Sequence, residues 1–184
     1  HEFTYNATTS STWWAPYEGS GPGVPLTVCS SGELFGATSG QGAFFGTLFK
    51  LGTNGAFTLM DRCMASWGGP LYAMACGLTL SEDGWLYTLG SQSADFSSIL
   101  RLRMDAAPYP TNDLLMRSET VYTFNGHGSS PGSAVFGSDG ALYGALRGGY
   151  LMPDVLYRLD VSNTPATSTF VYQFPEGETP LGGL

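Results

Sequence analysis

The chain has 184 residues, of which 42% are hydrophobic, 14% aromatic and 12% charged, with seven Lys and Arg against fifteen Asp and Glu for a formal charge of −8. That length suits one domain with a sizeable core, and the aromatic content excludes a disordered chain. The negative field opposes partnership with nucleic acid or with anionic membrane surfaces, and no apolar run approaches the roughly 18–20 residues that span a bilayer as a helix.

In chain order, the first ten residues hold "EFTYN" at 2–6, which resembles a closing strand found later, "TVYTFN" at 120–125. "NAT" at 6–8 fits the glycosylation acceptor pattern at Asn6. The chain begins at His1 without a Met or a signal-like apolar run, so a removed leader or a piece of a longer protein is expected. A first unit, about 25–64, runs through "SSGELFGATSGQG" from Ser30, "GTLFKLG" at 46–52 and "AFTLMD" at 56–61. A second, about 70–126, repeats the order with "EDGWLYTLGSQ" from Glu82, "SILRLRM" at 98–104 and "TVYTFNG" at 120–126, after an insertion at 104–119. A third, about 131–177, has "SDGALYGALRGG" at 138–149, "DVLYRLD" at 154–160 and "FVYQFPEG" at 170–177. The end, 178–184, resembles the opening of a further unit.

The units register on Leu34, Leu86 and Leu142, at spacings of 52 and 56 residues, and Leu48, Leu100 and Leu156 give the same spacings. Internal repeats at this period decide architecture before any local propensity does. Within each phrase, apolar and polar residues alternate with period two, as in "TLFKL" and "VLYRL", which predicts half-buried strands. Asp83-Gly84, Asp139-Gly140 and Asn54-Gly55 predict tight hairpins in which glycine takes a positive φ. The 26 glycines and 11 prolines fit many short strands. The prediction is an all-β, single repeat domain over 1–184, built of about three four-stranded antiparallel meanders of the β-propeller blade type. End strands at 1–10 and 178–184 leave the ring to be completed by another chain or a missing segment.

Cys63 and Cys76 flank a loop between two strands, and a disulfide there is expected to restrain the unfolded chain by roughly 3 kcal/mol in an oxidising compartment. Cys29 is left over. With a single lysine, Lys50, and the Asn6 acceptor, this favours a secreted, extracellular protein. No Cys/His cluster points to zinc. His1 with His127 would be the raw material of a copper brace, but blade repeats are not the sandwich such enzymes use. His127 is expected at the surface of the "NGHGSS" turn. No metal and no cofactor are expected.

For chemistry, Glu82, Asp83, Asp139 and Asp154 supply carboxylates from which a glycosidase pair could be drawn, but Asp83 and Asp139 hold equivalent turn positions, which favours a structural role. For binding, Trp85 stands where the sister units have Glu33 and Ala141, so the repeat does not require it. Trp85, Trp67, Trp13, Trp14 and Tyr150 are therefore the candidate ligand-binding residues, by sugar stacking or protein contact. The aromatics Phe35, Tyr87 and Tyr143 recur and are expected to pack.

The phrases "GSDGALYGALRGG" at 137–149 and "GTLFKLGTNGAFTLM" at 46–60 resemble the repeats of GloVer-type choice-of-anchor tandem repeat proteins. The resemblance spans about Pro25 to Leu184, departs from the pattern at Ser31 and in the cysteine pair, and lacks an anchoring tail. It implies a secreted or surface-exposed protein of bacterial type and carries no catalytic residue set. The function expected is a non-catalytic module, for carbohydrate binding or for self-assembly into an oligomer or filament. The alternative is a propeller-type glycoside hydrolase or polysaccharide lyase.

Overall fold

The computed structural model describes residues 24–38, 44–64, 73–74, 77–93, 96–108, 117–129, 133–148 and 152–181. They form fourteen strands in three antiparallel sheets, with no helix among the described residues. Sheet 1 has the order β1 (Thr27–Val28), β2 (Leu34–Thr38), β3 (Phe44–Leu51), β4 (Phe57–Met64). In sheet 2, β5 (Ala73–Met74) and β6 (Thr79–Leu80) both pair with β7 (Trp85–Ser93), followed by β8 (Phe96–Arg103) and β9 (Glu119–Asn125). In sheet 3, β10 (His127–Ser129) and β11 (Val135–Phe136) both pair with β12 (Leu142–Gly148), followed by β13 (Val155–Asp160) and β14 (Thr167–Gln173). The latter two sheets are four strands wide with an interrupted first strand. The expected all-β fold of blade-like meanders is the one observed.

The first hairpin of every sheet closes identically. Gly32, Gly84 and Gly140 each donate an N–H three residues back, to Cys29, Ser81 and Gly137, at 2.9, 3.1 and 3.0 Å. Their φ angles are +83°, +83° and +74°, so the glycine takes the left-handed position that follows a type I turn. The Asp139 carboxylate accepts the Ala141 N–H at 3.2 Å, which explains an acidic residue just before the glycine.

The ladders repeat too, and they correct the sequence register in one place. Phe35 pairs with Lys50, Tyr87 with Arg101 and Tyr143 with Arg158, so the link between the second and third strands is one residue shorter in sheet 2. The partner of Leu48 and Leu156 is therefore Ile99, not Leu100. Repeat spacing alone concealed this because Ile99 and Leu100 are both apolar. Every third-to-fourth strand ladder then carries a β-bulge at one position, opposite Leu48/Phe49, Ile99/Leu100 and Leu156/Tyr157. A bulge repeated in place is a feature of the repeat, and it sharpens the twist of the outer strand.

Alternation gives each sheet two apolar faces, and consecutive sheets stack through them. Phe35, Ala37, Leu48 and Met60 on the forward face of sheet 1 pack against Leu78, Leu86, Leu100 and Leu102 on the rear face of sheet 2. Tyr87, Leu89, Ile99 and Phe124 on the forward face of sheet 2 pack against Leu142, Leu146, Val155, Tyr157 and Leu159 on the rear of sheet 3. In sheets 1 and 3 a glycine of the repeated phrase makes room for an aromatic side chain of the next strand. Gly36 lies opposite Phe49, and Gly144 opposite Tyr157, so close that a Cβ would sit 2.4 Å from the Phe49 ring and 2.5 Å from the Tyr157 hydroxyl. In sheet 2 the same pair is Thr88 and Leu100.

Polar links join the sheets at equivalent places. Thr27 Oγ1 donates to Leu78 O, and Thr79 Oγ1, at the same position one unit later, donates to Ala134 O. The third member of that series is Val135, which has no hydroxyl. At the outer edge, the buried Asp61 carboxylate on β4 accepts the Arg117 N–H at 2.9 Å and the Ser118 N–H at 2.8 Å, which ties sheet 1 to the chain entering β9. Removing it strands two amide donors in a largely buried site. Asp61→Ala is expected to cost about 2–4 kcal/mol, measured by urea denaturation with an unchanged m-value. A loss below about 0.5 kcal/mol would show that water replaces the carboxylate.

Candidate functional site

Of the residues singled out for binding, Trp85 lies among the described residues, while Trp13, Trp14, Trp67 and Tyr150 lie outside them, as does Asn6. The expected Cys63–Cys76 bridge also falls outside, since Cys76 and the Cys63 side chain are not described; Cys29 is buried with a free thiol.

Trp85 begins β7, directly across from Arg103 on β8. It is half-buried at the rim of the sheet 2–sheet 3 core. The Arg101 guanidinium lies 4.3 Å over its ring and that of Arg103 5.2 Å away, distances at which cation–π attraction is worth about 0.5–1 kcal/mol at an exposed site. Both cations are also ion-paired. Arg101 donates to Glu119 at 2.9 Å, and Arg103 donates to Asp105 at 3.1 Å and to the Asp83 carbonyl at 3.0 Å. Arg101 further binds the Tyr87 hydroxyl; burial pushes that hydroxyl's pKa up, with Arg101 pulling the other way. A sugar stacking on the guanidinium-covered side of Trp85 would have to displace a guanidinium.

The corresponding group in sheet 3 is Asp139, Tyr143 and Arg158. Arg158 reaches Asp139 Oδ2 at 2.9 Å from Nε and 2.8 Å from Nη2, and the Tyr143 hydroxyl donates to the same oxygen at 3.0 Å. Sheet 1 carries a simpler version, Lys50 to Glu33 at 3.0 Å. An acid-and-cation pair thus recurs at the forward edge of every sheet, with the cation contributed by the third strand. Sequence reasoning recognised the aromatic members and missed the cations, whose common position needs the corrected register of β8.

Of the other candidate carboxylates, Glu82 is exposed, and two accept hydrogen bonds. Asp83 accepts from Ser81 Oγ at 2.5 Å, and Asp154 accepts the Gly148 N–H at 2.7 Å. The Arg158 hydrogen bond holds the Asp139 carboxyl below the usual carboxylate range, helped by the Ala141 N–H. An acid held ionised in this way does not deliver a proton near neutral pH. Among the described residues no group of three His, Cys, Asp or Glu side chains could hold a metal ion.

His127 departs from expectation. Instead of standing on a surface turn it is completely buried, 0% exposed, at the point where the chain passes from β9 into β10. Sequence periodicity could not reveal this, because the burial is produced by a neighbouring sheet.

No family model matches the chain, and no curated protein matches it either.

The Asp139 assignment is open to direct measurement. Its charge supports the fold above the ordinary carboxylate range, and this support is lost as pH falls through the depressed folded value. Arg158→Met is expected to move the Asp139 midpoint up toward that of a free carboxylate, followed by the NMR shift of its carboxyl carbon. An unmoved midpoint would assign the depression to the backbone instead.

Proposed function

We propose that this chain is a non-catalytic, extracellular module of propeller-type blades that works by recognition, and that the partner it is best built for is another copy of itself. The observation that carries this reading is a comparison the repeat makes with itself. On the rear face, Leu86 and Leu142, and Leu102 and Leu159, are buried by the preceding sheet, whereas their sheet 1 equivalents Leu34 and Leu51 are only partly covered. Val28, equivalent to Leu80 and Phe136, is 64% exposed. On the forward face, Phe35 and Tyr87, and Leu48 and Ile99, are buried, while Tyr143 and Leu156 of sheet 3 are only partly so. The two outer faces therefore present the halves of a contact that the fold already makes twice internally.

Such a contact is heterologous: sheet 3 of one copy meets sheet 1 of the next. It closes into a ring if the rotation permits and otherwise propagates as a filament. Among the described residues the outer strand β14, with Phe170, Val171 and Tyr172 each about half accessible, pairs only with β13, which adds an edge for strand pairing. The resemblance of the repeats to GloVer-type proteins, the glycosylation triplet at Asn6 and the lysine-poor composition support the extracellular assignment. Among the described residues no helix is long and apolar enough to cross a membrane.

Carbohydrate recognition is the second reading. It is favoured by the placement of Trp85, an aromatic that the repeat does not require, at a partly open rim beside hydrogen-bonding side chains. A glycan that docks there is expected to change tryptophan fluorescence and to lose its effect in Trp85→Ala.

Sedimentation velocity tests the first reading. The chain mass is 19.5 kDa. Multiples of that mass are expected to grow with concentration up to about 100 μM, and Leu51→Glu and Leu156→Glu, one on each outer face, are each expected to weaken association about tenfold or more. A species of single-chain mass throughout that range would overturn self-recognition.

A further inference from the structure

His127 follows Gly126, whose φ of +83° turns the chain out of sheet 2 and into sheet 3. From that position it is enclosed by both. Its carbonyl accepts the Ser97 hydroxyl of β8 at 2.8 Å, its backbone stands opposite Gly148 of β12, and its ring meets the Phe170 ring of β14 edge-on at 5.0 Å between centroids. Neither ring nitrogen has a hydrogen-bond partner among the described residues. An imidazole in such a site is being used as an apolar plate. It tolerates that role only while neutral, because a buried cation with no acceptor costs far more than a buried neutral ring.

We propose that His127 is an acid-sensitive latch between sheets 2 and 3: neutral, it closes the junction; on taking a proton from solvent, it must leave its site or admit water, and sheet 3 loosens from sheet 2. Among the described residues, no charged group on the packed elements makes a hydrogen bond to the ring, and Asp95 lies outside them. Asp154, ahead of β13, favours the cation through space, but its Oδ1 is committed to the Gly148 N–H at 2.7 Å. Arg147 on β12, across from Ser129, is exposed and of the wrong sign. Arg101 and Arg103 on β8, Glu119 on β9, and Arg158 and Asp160 on β13 lie at the far ends of their strands from His127. β7 and β14 carry no Asp, Glu, Lys or Arg.

The direction follows from linkage. Burial, opposed by Asp154, holds the ring's pKa below that of an ordinary histidine. The opened junction therefore takes up the proton first, so the closed state is fully favoured above about pH 6.5 and loses ground as pH falls toward the lowered closed-state value, by at most about tenfold in the open-to-closed ratio per pH unit. This device does not depend on what the module binds.

Hydrogen exchange on the whole chain, corrected for the intrinsic rate, tests it between pH 7 and pH 5. The expected result is a loss of protection in β10, β12 and β14 that sets in below about pH 6.5 and reaches at most about 30-fold at pH 5, with β2 and β3 unaffected, and a flat profile in His127→Phe. Uniform loss over all three sheets, or the same profile in His127→Phe, would overturn the latch. The wild-type chain offers an independent reading should the variant not fold. It has only two histidines, so the NMR titration of His127 is readily resolved, and a midpoint at or above about 6.5 would also reject the proposal.

Discussion

The structure depends on one packing relation, the forward face of one sheet against the rear face of the next. A β-sheet whose strands alternate apolar residues to both sides cannot be satisfied alone, because each face left in water forfeits about 25 cal/mol per Å² of apolar surface. Sheet 2 satisfies both faces, with Leu86 and Leu102 turned to sheet 1, and Tyr87 and Ile99 turned to sheet 3. The recurrent bulge and the shared turn are what give the three sheets an equivalent shape.

Polar groups align the layers that the apolar faces bring together. Threonine hydroxyls near the first strands and the Asp61 carboxylate near the last ones tie neighbouring sheets at opposite edges. The threonine series ends at Val135, and Asp61 occurs once, where the later sheets have Tyr122 and Tyr172. The repeat is therefore regular in what makes a sheet and individual in what joins one sheet to another. His127 belongs to the second category, at a junction that its own protonation opposes.

Among the described residues, acid and cation pairs recur along the forward edges of the sheets. Asp139 is held by Arg158, Tyr143 and a backbone amide, and Glu33, Glu119 and Asp105 each have a cation. Repeated carboxylates with repeated partners do the work of the repeat.

Much of the architecture was legible in the amino-acid sequence, because it rests on local rules. Period-two alternation marked the strands, glycine after Asp or Asn marked the hairpins, and repeat spacing placed Leu34, Leu86 and Leu142 in register. The one-residue slip at Ile99 was not legible, since two adjacent apolar residues fit the pattern equally and only the hydrogen-bonded ladder chooses between them. Trp85 could be picked out as the odd member of its series, yet the two guanidinium groups over its ring come from the neighbouring strand. The burial of His127 and the staple at Asp61 were decided by tertiary structure alone, because each depends on groups that are distant in the chain and meet only when one sheet is laid against the next.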